Sequence, residues 1–115
     1  MAERFVRAYG ASETVFEQGS RGEKMYVVQA GTVEIRKRQP DGDEVLAELA
    51  KGEIFGALAL VEDLPRASAA VAGPAGADVV EIDSPQFVYL VGEQPVFALV
   101  VLKAMSRLLR AGIEV

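Results

Sequence analysis

The chain has 115 residues, half of them hydrophobic and a quarter charged, which suits a single domain whose core needs neither disulfides nor a metal staple. Seventeen acidic against twelve basic residues leave a net charge of −5, a balance that repels nucleic acid and anionic membrane, so neither is expected as a partner of this chain. With no Cys and no His, thiolate nucleophiles, zinc and haem sites built on imidazole and every triad with an imidazole base are excluded together, and the chain reads as a non-enzyme without a metal or cofactor.

The first residues, MAERFVRAYG, carry charges throughout and lack the apolar run of a secretory signal, and the apolar run Val96 to Leu102 is far too short to span a bilayer. A cytoplasmic location is the expectation. Glu3 to Tyr9 predicts a short amphipathic helix stopped at Gly10.

From Thr14 the pattern shifts to short β-rich runs separated by glycine turns: TVFEQ, MYVVQ, TVEIRKR and EVLAELA. In TVEIRKR, Val33 and Ile35 fall on one face and Glu34, Arg36 and Arg38 on the other, the signature of a half-buried strand. Turns are expected around Gly19 and Gly22, at Ala30-Gly31 and at Pro40-Asp41-Gly42-Asp43. Their spacing fits an antiparallel sandwich or jelly roll better than alternating strands and helices. The acidic cluster Asp41, Asp43 and Glu44 lacks the ligand spacing of a calcium loop and reads as a solvated hairpin tip.

The strands resume after Pro65 as ASAAVAG and ADVVEID. Ser84-Pro85 reads as an N-cap followed by proline at the first helical position, opening PQFVYLVGE. Pro95 opens a second helix that runs to a C-cap at Gly112. Lys103, Arg107 and Arg110 form its polar stripe, with Val101, Leu102, Met105, Leu108 and Leu109 on the other side. That apolar side packs on its own domain, pairs with a second copy, or does some of both.

The stretch FGALALVEDLPRASAA, Phe55 to Ala70, sets one fixed positive charge, Arg66, among small and apolar residues. Gly56 precedes a short helical run whose first amides are free, and an arginine fork opposite them matches two phosphate oxygens. The competing reading pairs Arg66 with Glu62 or Asp63 and leaves the glycines as turns.

The same stretch resembles the phosphate-binding cassette of cyclic-nucleotide-binding domains of the catabolite-activator and protein-kinase regulatory type. The resemblance extends over VFEQGSRGEKMYVVQAGTVEI and DGDEVLAELAKGEIFG, with glycines 19, 22, 31, 52 and 56 in register, and covers about Val15 to Arg110. It implies one domain over 1–115: an N-terminal helix in 1–13, an eight-stranded antiparallel β jelly roll in 14–83 and C-terminal helices in 84–115. It also implies a cyclic nucleotide, cAMP or cGMP, held between cassette and sheet by Gly56, Ala57, Leu58, Ala59, Arg66, Ala67 and Ser68. Val28 and Val33 are the nominated apolar pocket wall, with core packing the competing reading for each.

One position departs from the family pattern: the cassette glutamate that accepts a hydrogen bond from the ribose 2′-hydroxyl is Ala57 here. A hydrogen bond to a charged group is worth roughly 1.5 to 3 kcal/mol, so its absence weakens binding by about one to two orders of magnitude. Two functions follow from the resemblance. One is a cyclic-nucleotide sensor, most naturally for cAMP, whose output is repositioning of the helix that starts at Pro95. The other is a degenerate domain that binds no nucleotide and serves as a protein-interaction module or as a homodimer joined through helix 95–111.

Overall fold

The computed structural model describes residues 6–115. The fold is built on two long strands, β3 (Lys24–Gln39) and β6 (Ala69–Asp83), paired antiparallel from Lys24 opposite Asp83 to Arg36 opposite Ala69. Around them lie β1 (Val6–Tyr9) and β2 (Thr14–Phe16), both on β6, and β4 (Gly42–Leu49) and β5 (Ile54–Phe55), both on β3. The eight strand segments expected of a jelly roll appear as six because two consecutive pairs are each one continuous, bent strand.

The bend explains why Ala30-Gly31 is not the turn its sequence suggests. The pairing register shifts on either side of it, between Val28 and Ala30 and between Gly31 and Val33, so the chain bulges and continues. Gly31 adopts φ +73 and pairs with Ala77, next to the equally left-handed Gly76 of β6. The strands fold there into two leaves, one carrying β1 and β5, the other β2 and β4. At Pro40 to Asp43, by contrast, a tight hairpin forms as expected, with Gln39 opposite Gly42.

The predicted N-terminal helix is corrected where it can be seen. Val6–Tyr9 is a strand in register with Ala77 to Val80, and residues 3–5 lie outside the described residues. A seven-residue helix has too few internal hydrogen bonds to stand alone, whereas Val6 and Tyr9 gain an edge of β6, and Tyr9 is buried there.

Period-2 alternation sends Val33, Ile35, Val28 and Val79 inward, where they pack with Phe55 and Leu49 in the main core. A second cluster, Met25, Ile54, Ala57, Ile82 and Val101, lies where the helices meet the roll. Helix α1 (Ala57–Glu62) follows Gly56, and α2 (Ser84–Glu93) starts from Asp83, not from Ser84. The Asp83 carboxylate accepts from the Gln86 amide at 2.9 Å while the Gln86 side chain accepts from the Asp83 amide, a reciprocal cap that Ser84 is one residue too late to make.

Helix α3 (Val96–Arg110) ends in a turn in which Gly112, at φ +79, donates to the Leu109 carbonyl and Ile113 donates to that of Leu108. Its stripe Lys103, Arg107 and Arg110 is exposed as expected, and Val101 is buried. Leu102 and Leu109, expected on the packed side, are instead 57% and 47% exposed. The roll and α2 offer α3 a surface only one stripe wide, occupied by Val101, Ala104, Met105 and Leu108.

Candidate functional site

Arg66 is held by backbone before its side chain is considered. The Arg66 amide donates to the Ser20 carbonyl and the Gly19 amide donates to the Arg66 carbonyl, both at 2.8 Å, so the connector after β2 clamps the residue from both directions. Gly22 lets that connector press on α1, since a Cβ there would lie 2.3 Å from the Ala59 methyl. These contacts are the structural use of the paired glycines seen in the sequence.

The guanidinium turns inward and is only 4% exposed. Its Nη1 donates to the Gly56 carbonyl at 2.6 Å and its Nη2 to the Lys24 carbonyl. Its centre stands 4.1 Å from the middle of the Phe16 ring and 5.8 Å from that of Tyr26, within reach of cation–π attraction. Phe55 stacks on Tyr26 with ring centres 5.0 Å apart, completing an aromatic floor that sequence reading did not assign to the site. The available signal was the inward phase of Phe16 and Tyr26 on their strands.

No carboxylate pairs with Arg66 among the described residues. Asp63 lies 3.9 Å from Arg21 instead, which removes Asp63 as the partner weighed for Arg66 in the sequence, and no Glu62 pairing is seen. Nε is buried and has no hydrogen-bond partner among the described residues. Burial is the largest influence on the guanidinium pKa and brings it below the ordinary arginine value, with nearby Tyr26 acting in the opposite sense. A desolvated cation compensated only by carbonyl dipoles and ring faces is a site where an arriving anion gains a great deal.

Above Arg66 lies a hollow of ≈ 220 Å³. Leu58, Ala59, Arg66, Ala67 and Ser68 all line it, so five of the seven cassette residues nominated from sequence converge on one space. Gly56 sits beneath, at the start of α1 with φ +83, where a Cβ would come within 2.9 Å of Arg66 Nη1. Ala57 faces away from the hollow, its methyl buried in the second cluster with Met25 and Val101. Val28 and Val33 are buried in the main core and do not line the hollow, which is the packing alternative weighed for them. The remaining wall includes Glu114 and Val115, which sequence reading left unassigned.

The profile of the family described as cyclic nucleotide-binding domain matches residues 6–94. The chain belongs to the cyclic-nucleotide-binding domain family. This cyclic-nucleotide-binding domain is 36% identical over 91 residues to a cAMP-dependent protein kinase regulatory subunit of Mycosarcoma maydis, covering 76% of this chain and 17% of that protein. Its fold is similar to that of the Thermus thermophilus catabolite activator protein, with TM-score 0.83 and 27% identity over 93% of this chain and 50% of the other. The regulatory domain of Toxoplasma gondii protein kinase A, solved with cAMP, aligns with TM-score 0.68 and 27% identity, covering 73% of this chain and 32% of that one. The domain therefore spans half or less of each of these proteins.

On the other side of Arg66 the cyclic-nucleotide-binding domain carries a second, more open cleft. There Glu81 accepts from the Tyr9 hydroxyl at 3.0 Å and from Lys24 Nζ at 3.1 Å, with Arg7 at 3.9 Å. Burial first, and then the Glu81 bond, push the Tyr9 pKa up, and burial does the same for Tyr26 against the pull of Arg66. Glu81 is thus occupied by its own neighbours and does not neutralise Arg66. Among the described residues no helix is long and apolar enough to cross a membrane, and no group of three or more acidic side chains is placed to hold a metal.

Proposed function

We propose that this domain binds a cyclic nucleotide, cAMP before cGMP, as the sensing part of a regulatory protein, with the phosphate on Arg66 and beside Ser68. The observation that carries the reading is the buried guanidinium with no carboxylate partner among the described residues, on a residue that lines a hollow shared with Ser68. The preference for cAMP draws on the cAMP-dependent regulatory subunit and the cAMP-bound kinase domain to which the chain is similar. The cassette offers the ribose no carboxylate, Ala57 being buried in the second cluster, so binding is weak and poorly selective for the sugar.

Calorimetry of the purified domain with cAMP and cGMP tests this. Wild type is expected to release heat with cAMP. Arg66→Glu is expected to lose at least about 100-fold in affinity, the scale of a charge-assisted, desolvated phosphate contact replaced by repulsion. Binding that survives in Arg66→Glu would sink the reading.

The second reading, a degenerate module that binds no nucleotide, is favoured by the buried, apolar Ala57. Its natural surface is helix 95–111, where Leu99, Leu102 and Leu109 stand exposed and could pair with a second copy. Absence of heat from wild type, together with a dimeric mass by light scattering that falls to a monomer in Leu102→Glu, would select it.

A further inference from the structure

We propose that the segment Ile113 to Val115 is a built-in occupant of the hollow, which a nucleotide has to displace before it can reach Arg66 and Ser68. The inference rests on the nucleotide reading above and concerns regulation of that same site.

Four observations carry it. Ile113 and Val115 are 7% and 8% exposed and belong to the main core cluster, although they follow the last helix and lie outside every strand and helix. The Ser68 hydroxyl, which lines the hollow beside Arg66, donates to the Glu114 carbonyl at 3.5 Å. Glu114 and Val115 line the hollow together with Leu58, Arg66 and Ser68. The remaining space, ≈ 220 Å³, falls short of the roughly 300 Å³ at which ligand pockets begin. The segment therefore takes the volume and one polar partner that a sugar-phosphate needs.

The turn at Gly112 ties the segment to α3 through the Ile113 amide and the Leu108 carbonyl, 2.9 Å apart. Leu108 packs on the main core, while Ala104 and Met105, one turn earlier, pack on the second cluster that holds Ala57. Withdrawing the segment pulls on the end of α3, which gives nucleotide occupancy a mechanical route to that helix. A ligand that meets a filled site binds with its intrinsic affinity reduced by the fraction of molecules in which the site is open.

The chain has no cysteine, so a single thiol reports on the segment. Without nucleotide, Val115→Cys is expected to react with a thiol reagent at least about 10-fold more slowly than Glu93→Cys, which sits at an exposed position. Equal rates would overturn the seat, whatever the nucleotide does. Saturating cAMP is expected to raise the Val115→Cys rate by about 10-fold, and Ile113→Ala with Val115→Ala to bind cAMP about 10-fold more tightly by calorimetry. Binding that leaves the labelling rate unchanged, or equal affinity in the folded double variant, overturns the displacement. No heat from either protein overturns the nucleotide reading itself and the displacement with it, an outcome distinct from fast labelling.

Discussion

The interior of the roll and the outer face of α2 and α3 are both rich in apolar residues, and they dispose of them in opposite ways. In the roll, Phe55, Met25, Ile35 and Val79 are fully buried and a cation is buried with them. On the helices, Val88, Tyr89, Leu99 and Leu102 are each more than half exposed, and α2 has no fully buried residue. The sheet folds into two leaves that face each other, so every second side chain is turned inward, whereas a helix that is apolar all round can bury only one stripe against one neighbour. Hydrophobicity alone does not say what is inside. The polar exception in the roll and the apolar exceptions on the helices both mark places where another molecule would improve the arrangement.

The contrast can be broken most forcefully from the roll side. Phe55→Ala removes a fully buried ring at the centre of the aromatic floor and is expected to cost about 3–5 kcal/mol in urea denaturation. A loss under about 1 kcal/mol would mean that the roll interior repacks as freely as a surface.

The next effect is one of pH. Tyr9 and Tyr26 hold their protons more tightly in the folded chain than at the ordinary value near 10. The stability they confer is complete below that ordinary value and is lost as pH rises beyond it towards the folded values. Denaturation midpoints are expected to fall on the alkaline side of pH about 10, and less steeply in Tyr9→Phe. A midpoint flat across that range would remove the two phenols from the packed interior.

Arg66→Met sharpens the comparison by placing an apolar chain where the cation lies. The loss of two bonds to carbonyls is set against release from desolvation, so the expected change in stability is within about 1 kcal/mol, while the heat proposed for cAMP is expected to vanish in calorimetry. A collapse of the fold would make Arg66 a structural residue first. The smallest change belongs to the helices: Leu99→Ser, at a position 61% exposed, is expected to shift stability by less than about 0.5 kcal/mol. A larger loss by the same denaturation assay would reveal a partner already covering that face.

Much of this could be read from the residues. The hairpin at Pro40 to Asp43, the half-buried Val33 and Ile35, the two C-terminal helices and the cassette around Arg66 all follow from periodicity, turn chemistry and family pattern. Two of the misreadings share a cause, which is that a local signal was outvoted by a distant one, and the third is a choice between neighbouring residues. Ala30-Gly31 has the composition of a turn, but β6 runs alongside and keeps the strand going. Val6–Tyr9 has helical spacing, but β6 offers it an open edge. Asp83 outranks Ser84 as a cap because Gln86 is three residues beyond it. The inward fold of Ile113 and Val115 left a faint signal of its own, an apolar residue directly after a C-terminal glycine, which is the usual companion of that helix ending. Where it would pack was not legible, because the roll it enters is assembled from segments that lie far away along the chain.

The paired glycines at the bend have one more implication. A Cβ on Gly31 would stand 2.1 Å from the Gly76 carbonyl oxygen, and one on Gly76 would stand 2.7 Å from that of Tyr9. Three stretches of main chain meet there with no side chain between them. The angle at which the leaves splay is accordingly set by the close approach of main chain to main chain. Substitutions elsewhere on the strands can change what the leaves carry while the bend itself stays as it is.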